Sequence, residues 1–356
     1  MLALSPPAPA FSVSDIRTVF LIVMENQDWS SIKGNPRCPY LNHTLLPQAS
    51  YCEHYASPLS LHPTLPNYLW LVAGTNFGIR DNSPPNVRVQ DTTNHLAFLL
   101  DQAGISWKHY QVGLAGLSYP PTNIVYPYHT AFNPFLYFRN VLTNVDYGRA
   151  HIRPYEELAS DLTNGILARF NLISPGLWHS MHDSGPAGGD AWLAGEVPKI
   201  MASAAYQGDG AVFIMWDEDD FGLPQSNIGM IVLSPLAKGG GYQSVAPYTH
   251  SSTLRTLQNI FGVRPYLGDA AKATDLGDLF KPLRLTSLGH RSDGGFILRA
   301  EAVMSNRTHY VEASADLSLT NWTAISTNVP TTTNFKVFDP GARQTPRRFY
   351  RVREGP

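Results

Sequence analysis

The sequence predicts a layered α/β domain, a central sheet flanked by helices, followed by a small all-β module. Three observations predict it. Two almost wholly apolar runs, residues 16–24 and 211–216, end on acidic or amide residues, as strands buried on both faces of a parallel sheet do. Segments with helical spacing alternate with such runs, which is the pattern of a layered α/β domain. Near residue 285 the pattern changes to short stretches that alternate apolar and polar residues between Asn, Pro and Gly, the grammar of a small β-sandwich.

Taken in order, residues 1–14 read as a leader remnant or flexible N-terminus, 15–284 as the α/β domain and 285–356 as the β module. Residues 41–48 have helical spacing, as do 93–103, with Leu96, Leu99, Leu100 and Ala103 on the apolar side. Residues 61–74 predict a turn and a helix, with Thr64 as N-cap, Pro66 in the first turn and Gly74 at the C-terminal cap. Strands follow at 105–111, 169–174 and 229–234. Helices are expected at 190–203, capped by Asp190, and at 251–261, closed by Gly262. The irregular stretch 113–134, rich in Pro, Tyr and Gly, reads as a substrate-facing loop. In the module, strands are expected at 296–302, 309–313, 322–326, 335–338 and 348–352.

The 356 residues are 43% apolar and 15% charged, which excludes general disorder, and a formal charge of -2 gives no basis for a nucleic-acid partner. No apolar run reaches the length of about 18 residues that a transmembrane helix needs. Cys38 and Cys52, the two cysteines, read as a disulfide of an exported protein, and Ala8-Pro9-Ala10 resembles the end of a cleaved signal. Both point to a secreted or periplasmic location.

The chemistry concentrates at the strand ends. Glu25 and Asn26 follow the first run, and Asp217 and Glu218 follow the second, where two adjacent carboxylates would repel unless a cation lies between them. Either pair alone also reads as an ordinary loop start, and Asp219 and Asp220 read as a solvated acidic turn. Together the four are candidate ligands for one divalent metal ion, with zinc, calcium or another dication all open. Thr64 supplies a hydroxyl at a helix start. Capping is its bland role, and attack on a phosphate ester, with helix amides and Asn67 on the phosphoryl oxygens, its functional one. His182, in a glycine-rich polar segment with Asp183, is a candidate acid or phosphate donor. His250 precedes a helix and is either a cap neighbour or a catalytic acid, and His129 lies in the irregular loop. Asp183 and His129 join Asn67 as candidate substrate-binding residues.

Met24-Glu25-Asn26, the run from His62 to Tyr68, Met181-His182-Asp183 with the run from Gly189 to Trp192, Trp216-Asp217-Glu218 and Leu233-Ser234-Pro235 together resemble a known family. It is the phosphoesterase family of bacterial acid phosphatases and phosphocholine-preferring phospholipases C, within the alkaline-phosphatase-like superfamily. The resemblance runs from about residue 15 to 265 in the family's motif order. It implies a metal held by Glu25, Asn26, Asp217 and Glu218, with Thr64 as nucleophile where the family commonly has serine. His182 and His250 carry over as groups around the phosphate or leaving oxygen. Three departures stand out. His129 is separated from Asn133-Pro134 where the family has His-Asn-Pro, His179-Ser180 replaces Asn-Asp, and Ser226-Asn227 replaces a histidine, which favours a single metal. Separately, the run from Tyr310 to Ser314, Leu319 to Thr323 and Arg348 to Val352 resemble short fibronectin-like sandwiches appended to secreted enzymes, which leaves a spacer, a surface attachment or a glycan contact open.

The resulting expectation is an exported, metal-dependent phosphomonoesterase of acid-phosphatase type that works through a phosphothreonine intermediate. A phospholipase C or phosphodiesterase is the alternative, with Tyr119, Tyr126 and Tyr128 as an aromatic wall for a lipid head group. An inactive surface-binding protein is the third reading.

Overall fold

The computed structural model describes residues 13, 16–58, 61–220, 227–281, 284–301, 303, 308–316, 321–332, 334–344 and 347–354. The leader reading, apart from Val13, lies outside these, as do Ser226 and Leu319-Thr320. The chain divides into two units, one of which is Ile16–Phe280, while the other carries Lys281–Pro356.

The larger unit is built on an eight-stranded sheet. Its strands are β1 (Thr18–Met24), β2 (Ser50–Ala56), β3 (Trp107–Gln111), β4 (Ile152–Pro154), β5 (Phe170–Ser174), β6 (Gly210–Trp216), β7 (Met230–Leu233) and β8 (Tyr242–Thr249), in the order β4-β3-β5-β1-β6-β7-β2-β8. The expected parallel sheet is mixed: β7 runs antiparallel to both neighbours, β6 and β2. The five strands from β4 to β6 are all parallel. β1 and β6 lie at the middle, and their apolar composition follows from it, since nearly every residue of both is buried. β2 and β8 are more polar and alternate in burial over parts of their length, so no continuous apolar run marks them.

Two helices position the site. α1 (Thr64–Ala73) is buried along almost its whole length, and α2 (His250–Phe261) packs beside it, with Trp70 Nε1 donating to Ser251 Oγ at 2.8 Å. Gly74 ends α1 with φ 68°, and a Cβ there would stand 2.3 Å from the Leu267 carbonyl oxygen, so glycine is required by conformation and by space. The predicted N-cap is displaced by one residue. Pro63 is the N-cap and Thr64 the first helical residue, which frees the Thr64 hydroxyl from capping.

Asp190 is also corrected. The helix expected to start there starts at Gly185 (Gly185–Met201), with Asp190 inside it. Its buried carboxylate instead accepts from the backbone N–H groups of Tyr40 (3.0 Å) and Leu41 (2.8 Å), satisfying the start of the helical segment 39–48 from a distant part of the chain. The expected disulfide is absent: Cys38 and Cys52 are both free and buried. Cys52 sits inside the sheet, level with Met230 of β7 and Ser244 of β8, whereas Cys38 belongs to the turn before Leu41. Burial pushes the Cys38 thiol up to about 11 and the Cys52 thiol higher still. No helix among the described residues is long and apolar enough to cross a membrane.

The smaller unit contains two three-stranded antiparallel sheets, β13-β10-β9 and β12-β11-β14, formed by β9 (Arg284–His290), β10 (Phe296–Glu301), β11 (His309–Ser314), β12 (Thr323–Asn328), β13 (Asn334–Asp339) and β14 (Phe349–Glu354). Leu298, Ala300, Val303, Val311, Val337 and Val352 form their shared core. β9 contains Thr, Ser and Gly among its apolar residues and was not predicted.

Replacing Asp190 with Ala strands the buried Leu41 N–H and the partly buried Tyr40 N–H. The expected loss is about 1–3 kcal/mol, read as a lower urea midpoint at unchanged m.

Candidate active site

β1 and β6 pair in register, with Met24 level with Trp216, so Glu25 and Asp217 leave the carboxyl edge of the sheet side by side. The turns that follow are tied together. Asp217 N–H donates to the Met24 carbonyl (3.0 Å), Asn26 N–H to Asp217 Oδ1 (3.3 Å), and Glu25 N–H to the Ser180 carbonyl (2.9 Å). Asn26 has φ 38°, a left-handed conformation that asparagine tolerates better than most residues.

α1 brings Thr64 to this edge. Its hydroxyl lies 3.2 Å from Glu25 Oε2 and 3.4 Å from Glu218 Oε1, bridging carboxylates from the two strand ends. Asn67, one turn on, donates from Nδ2 to Glu218 Oε2 (3.0 Å) and to the Leu61 carbonyl (2.8 Å). It therefore orients Glu218 instead of offering its amide to a phosphate. The expected amide cradle is also reduced, because Leu65 N–H donates to Asn82 Oδ1 (2.9 Å) and Pro66 has no N–H.

Glu25, Asp217 and Glu218 are all buried. Desolvation raises the pKa of each, and mutual repulsion adds to this for Glu25, facing Glu218, and for Asp217, facing Glu25 and Glu218. Among the described residues no three His, Cys, Asp or Glu side chains close up at ligating distances. The fit to a cation rests on unsatisfied oxygen instead: Glu25 Oε1, Asn26 Oδ1 and Asp217 Oδ2 are buried without a hydrogen-bond partner. Hard oxygen donors clustered around repelling carboxylates suit a divalent cation.

Two contributors escaped the sequence reading. His62 Nδ1 lies 3.1 Å from Glu218 Oε2, and its Nε2 pairs with Asp219. Asp219 is buried and paired, not a solvated turn residue; Asp220 is exposed as expected. The hydrogen bond to Glu218 is the largest factor that raises the His62 pKa to about 9. The signal was the position of His62 two residues before the candidate nucleophile. Tyr68, at i+4 from Thr64, is the other; its buried hydroxyl is close enough to Glu25 to influence it without forming a well-directed bond.

The remaining predicted residues divide into two groups. His250 is fully buried behind the site: Nε2 meets the Asp217 carbonyl at 2.7 Å and Nδ1 faces the Tyr55 hydroxyl at 3.3 Å. Both ring nitrogens are thereby engaged, so it steadies the Asp217 backbone instead of meeting a leaving group. His182 and Asp183 pair at 2.6 Å in a partly exposed turn just after Ser180, and half-buried His129 lies within reach of the His182 charge. His129 Nδ1 accepts from Ala131 N–H, starting a short helical turn. In the proposed aromatic wall, Tyr119 and Tyr128 bond to the carbonyls of Val141 and Pro121 and brace their loop, which leaves Tyr126 facing outward.

Two stability predictions follow from the burial. Glu25→Gln should stabilise the metal-stripped protein by about 1–2 kcal/mol at neutral pH, since it removes a like charge from the cluster, while weakening cation-induced stabilisation in a thermal melt. Burial lowers the His250 pKa to about 4. The unfolded chain takes up this proton near 6.5 and the folded chain only near 4, so this contribution to stability is lost as pH falls across that window. The loss is about 1.4 kcal/mol per pH unit. Urea stabilities of the parent and His250→Gln should converge from pH 7 to pH 5.

A family model described as the Phosphoesterase family matches residues 43–264. The chain is 27% identical over 262 residues to the phosphatidylinositol-3-phosphatase of Mycobacterium tuberculosis, covering 74% of this chain and 82% of that protein. It is 24% identical to an acid phosphatase of Aspergillus fumigatus, covering 88% of this chain but 65% of that one. A solved Vibrio parahaemolyticus protein of the alkaline phosphatase superfamily shares the fold, with a TM-score of 0.53 at 12% identity over 92% of this chain and 88% of that one. With the family match covering most of the chain, including Thr64, Asp217 and Glu218, the protein belongs to the Phosphoesterase family.

Proposed function

We propose that the protein is a metal-dependent phosphomonoesterase that transfers phosphate to Thr64 and then to water. The observation that carries this reading is the Thr64 hydroxyl, freed from capping and bridging Glu25 and Glu218 at the carboxyl edge of the sheet. Two relatives named as phosphatases, one for a phosphoinositide and one an acid phosphatase, support the reaction class.

Glu25, Asn26, Asp217 and Glu218 would hold the cation. When bound, it supplies positive charge that permits the carboxylates to ionise together, polarises phosphoryl oxygens and lowers the pKa of a nearby hydroxyl. Thr64 passes its proton to a neighbouring carboxylate as Oγ attacks phosphorus and the ester P–O bond breaks in line. His182, oriented through Nδ1 by Asp183, delivers a proton to the departing oxygen from Nε2. Water then attacks the phosphothreonine, releasing inorganic phosphate and restoring the hydroxyl. Asn67 and His62, which flank Thr64 in sequence, hold Glu218 throughout.

The test is phosphate release from an aryl phosphomonoester beside cleavage of an aryl phosphodiester, with metal-stripped and metal-restored protein. Monoester turnover should depend on metal and exceed diester turnover. Thr64→Ala should lose about three orders of magnitude or more in kcat with an unchanged fold, while Thr64→Ser should remain active. Undiminished activity in Thr64→Ala would overturn the mechanism, and diester preference would reassign the enzyme to the phospholipase C or phosphodiesterase class.

A further inference from the structure

The surface carries an apolar rim at the loop tip 124–126 and at Trp178. Ile124, Val125 and Tyr126 are consecutive and 57%, 45% and 59% exposed. Val125 and Tyr128 exchange backbone hydrogen bonds of 3.2 and 2.7 Å, so Tyr126 and Pro127 form the tip of a tight turn. Leu177 N–H donates to the Pro127 carbonyl (3.2 Å), which brings the next residue, Trp178, 51% exposed, alongside that turn. These four side chains gain nothing for folding by facing water.

Their location connects them to the reacting groups. Trp178 lies two residues before Ser180, whose carbonyl receives the Glu25 N–H. Tyr126 lies near the Asp183 carboxylate, which pairs with His182. The rim is thus joined by short backbone and side-chain links to both the nucleophile's carboxylate partner and the proposed acid. A leaving oxygen that takes its proton from His182, as proposed above, departs on the side of the turn that carries His182 and Asp183.

We infer that Ile124, Val125, Tyr126 and Trp178 form a subsite for the apolar alcohol portion of the substrate, selecting phosphomonoesters with extended hydrocarbon or aromatic leaving groups over small hydrophilic ones. The inference rests on the phosphomonoesterase reading and adds its leaving-group preference. Broad aromatic faces with a polar tip suit this position, since each covers apolar surface while its N–H or O–H stays wet. The rim is open, so it covers one side of a chain and leaves the other in solvent. Half-burial of each methylene corresponds to roughly a twofold gain in kcat/KM.

The experiment compares ethyl, butyl and hexyl phosphate as monomers in solution, using the full chain with metal restored. The expected result is a rise of roughly tenfold or more in kcat/KM from ethyl to hexyl phosphate, four half-covered methylenes in all. The combined substitution Tyr126→Ser and Trp178→Ser should flatten that ratio toward unity, and Trp178→Phe should preserve most of it. Because the readout is a ratio on one enzyme sample, partial misfolding of a variant does not alter it. A flat series in the parent, or an undiminished ratio in the double variant, overturns the subsite. Phosphatidic acid in neutral vesicles separates the sources of the same chemistry. Loss of vesicle turnover in the double variant with an undiminished soluble ratio would make the rim a bilayer contact and overturn the leaving-group assignment. Absence of turnover on ethyl and aryl phosphates alike would instead refute the phosphomonoesterase reading itself.

Discussion

Placing Glu25 and Asp217 side by side at the ends of paired parallel strands is the constraint on which the rest depends. Both are buried, both repel, and Glu218 brings a third carboxylate to the same cluster. A buried group of like charges is unfavourable unless protons or cations neutralise it. The surrounding structure supplies part of that compensation. His62 pairs with Glu218 and Asp219, Asn67 donates to Glu218, and backbone N–H groups hold Asp217. The oxygens left without partners mark what these contacts do not neutralise.

The supports for the cluster extend beyond the sheet. α1 carries the hydroxyl and is locked by α2 through Trp70 and Ser251, and by the close approach of Gly74 to Leu267. His250 ties the start of α2 to the Asp217 backbone, so the strand end, the nucleophile helix and the packing helix form one hydrogen-bonded unit. Displacing any one of them would move Thr64 relative to the carboxylates, and positioning errors of about 1 Å are costly in catalysis. On the other flank, Ser180 connects Glu25 to the turn that carries His182, and Leu177 connects that turn to the loop tip at Pro127.

The amino-acid sequence by itself determined the layered α/β class, because strands buried on both faces must be continuously apolar, as β1 and β6 are. It also determined the ligand candidates, since acidic residues that abut such runs begin where water is scarce, and the C-terminal cap at Gly74, since few other residues accept that conformation. Tertiary structure decided what depends on distant partners. β2, β8 and β9 draw their pairing from neighbours across the sheet and carry mixed sequences that no local period marks. Asp190 caps a helical segment 150 residues away, Asp219 is buried because His62 meets it, and His250 is withdrawn from chemistry because the Asp217 carbonyl occupies it. Cys38 and Cys52 lie close in sequence, yet one is held inside the sheet and the other in a turn, so proximity along the chain did not become a bond. A local pattern reports the burial that a segment demands, whereas a side chain's role is set by which atoms the folded chain brings within about 3 Å of it.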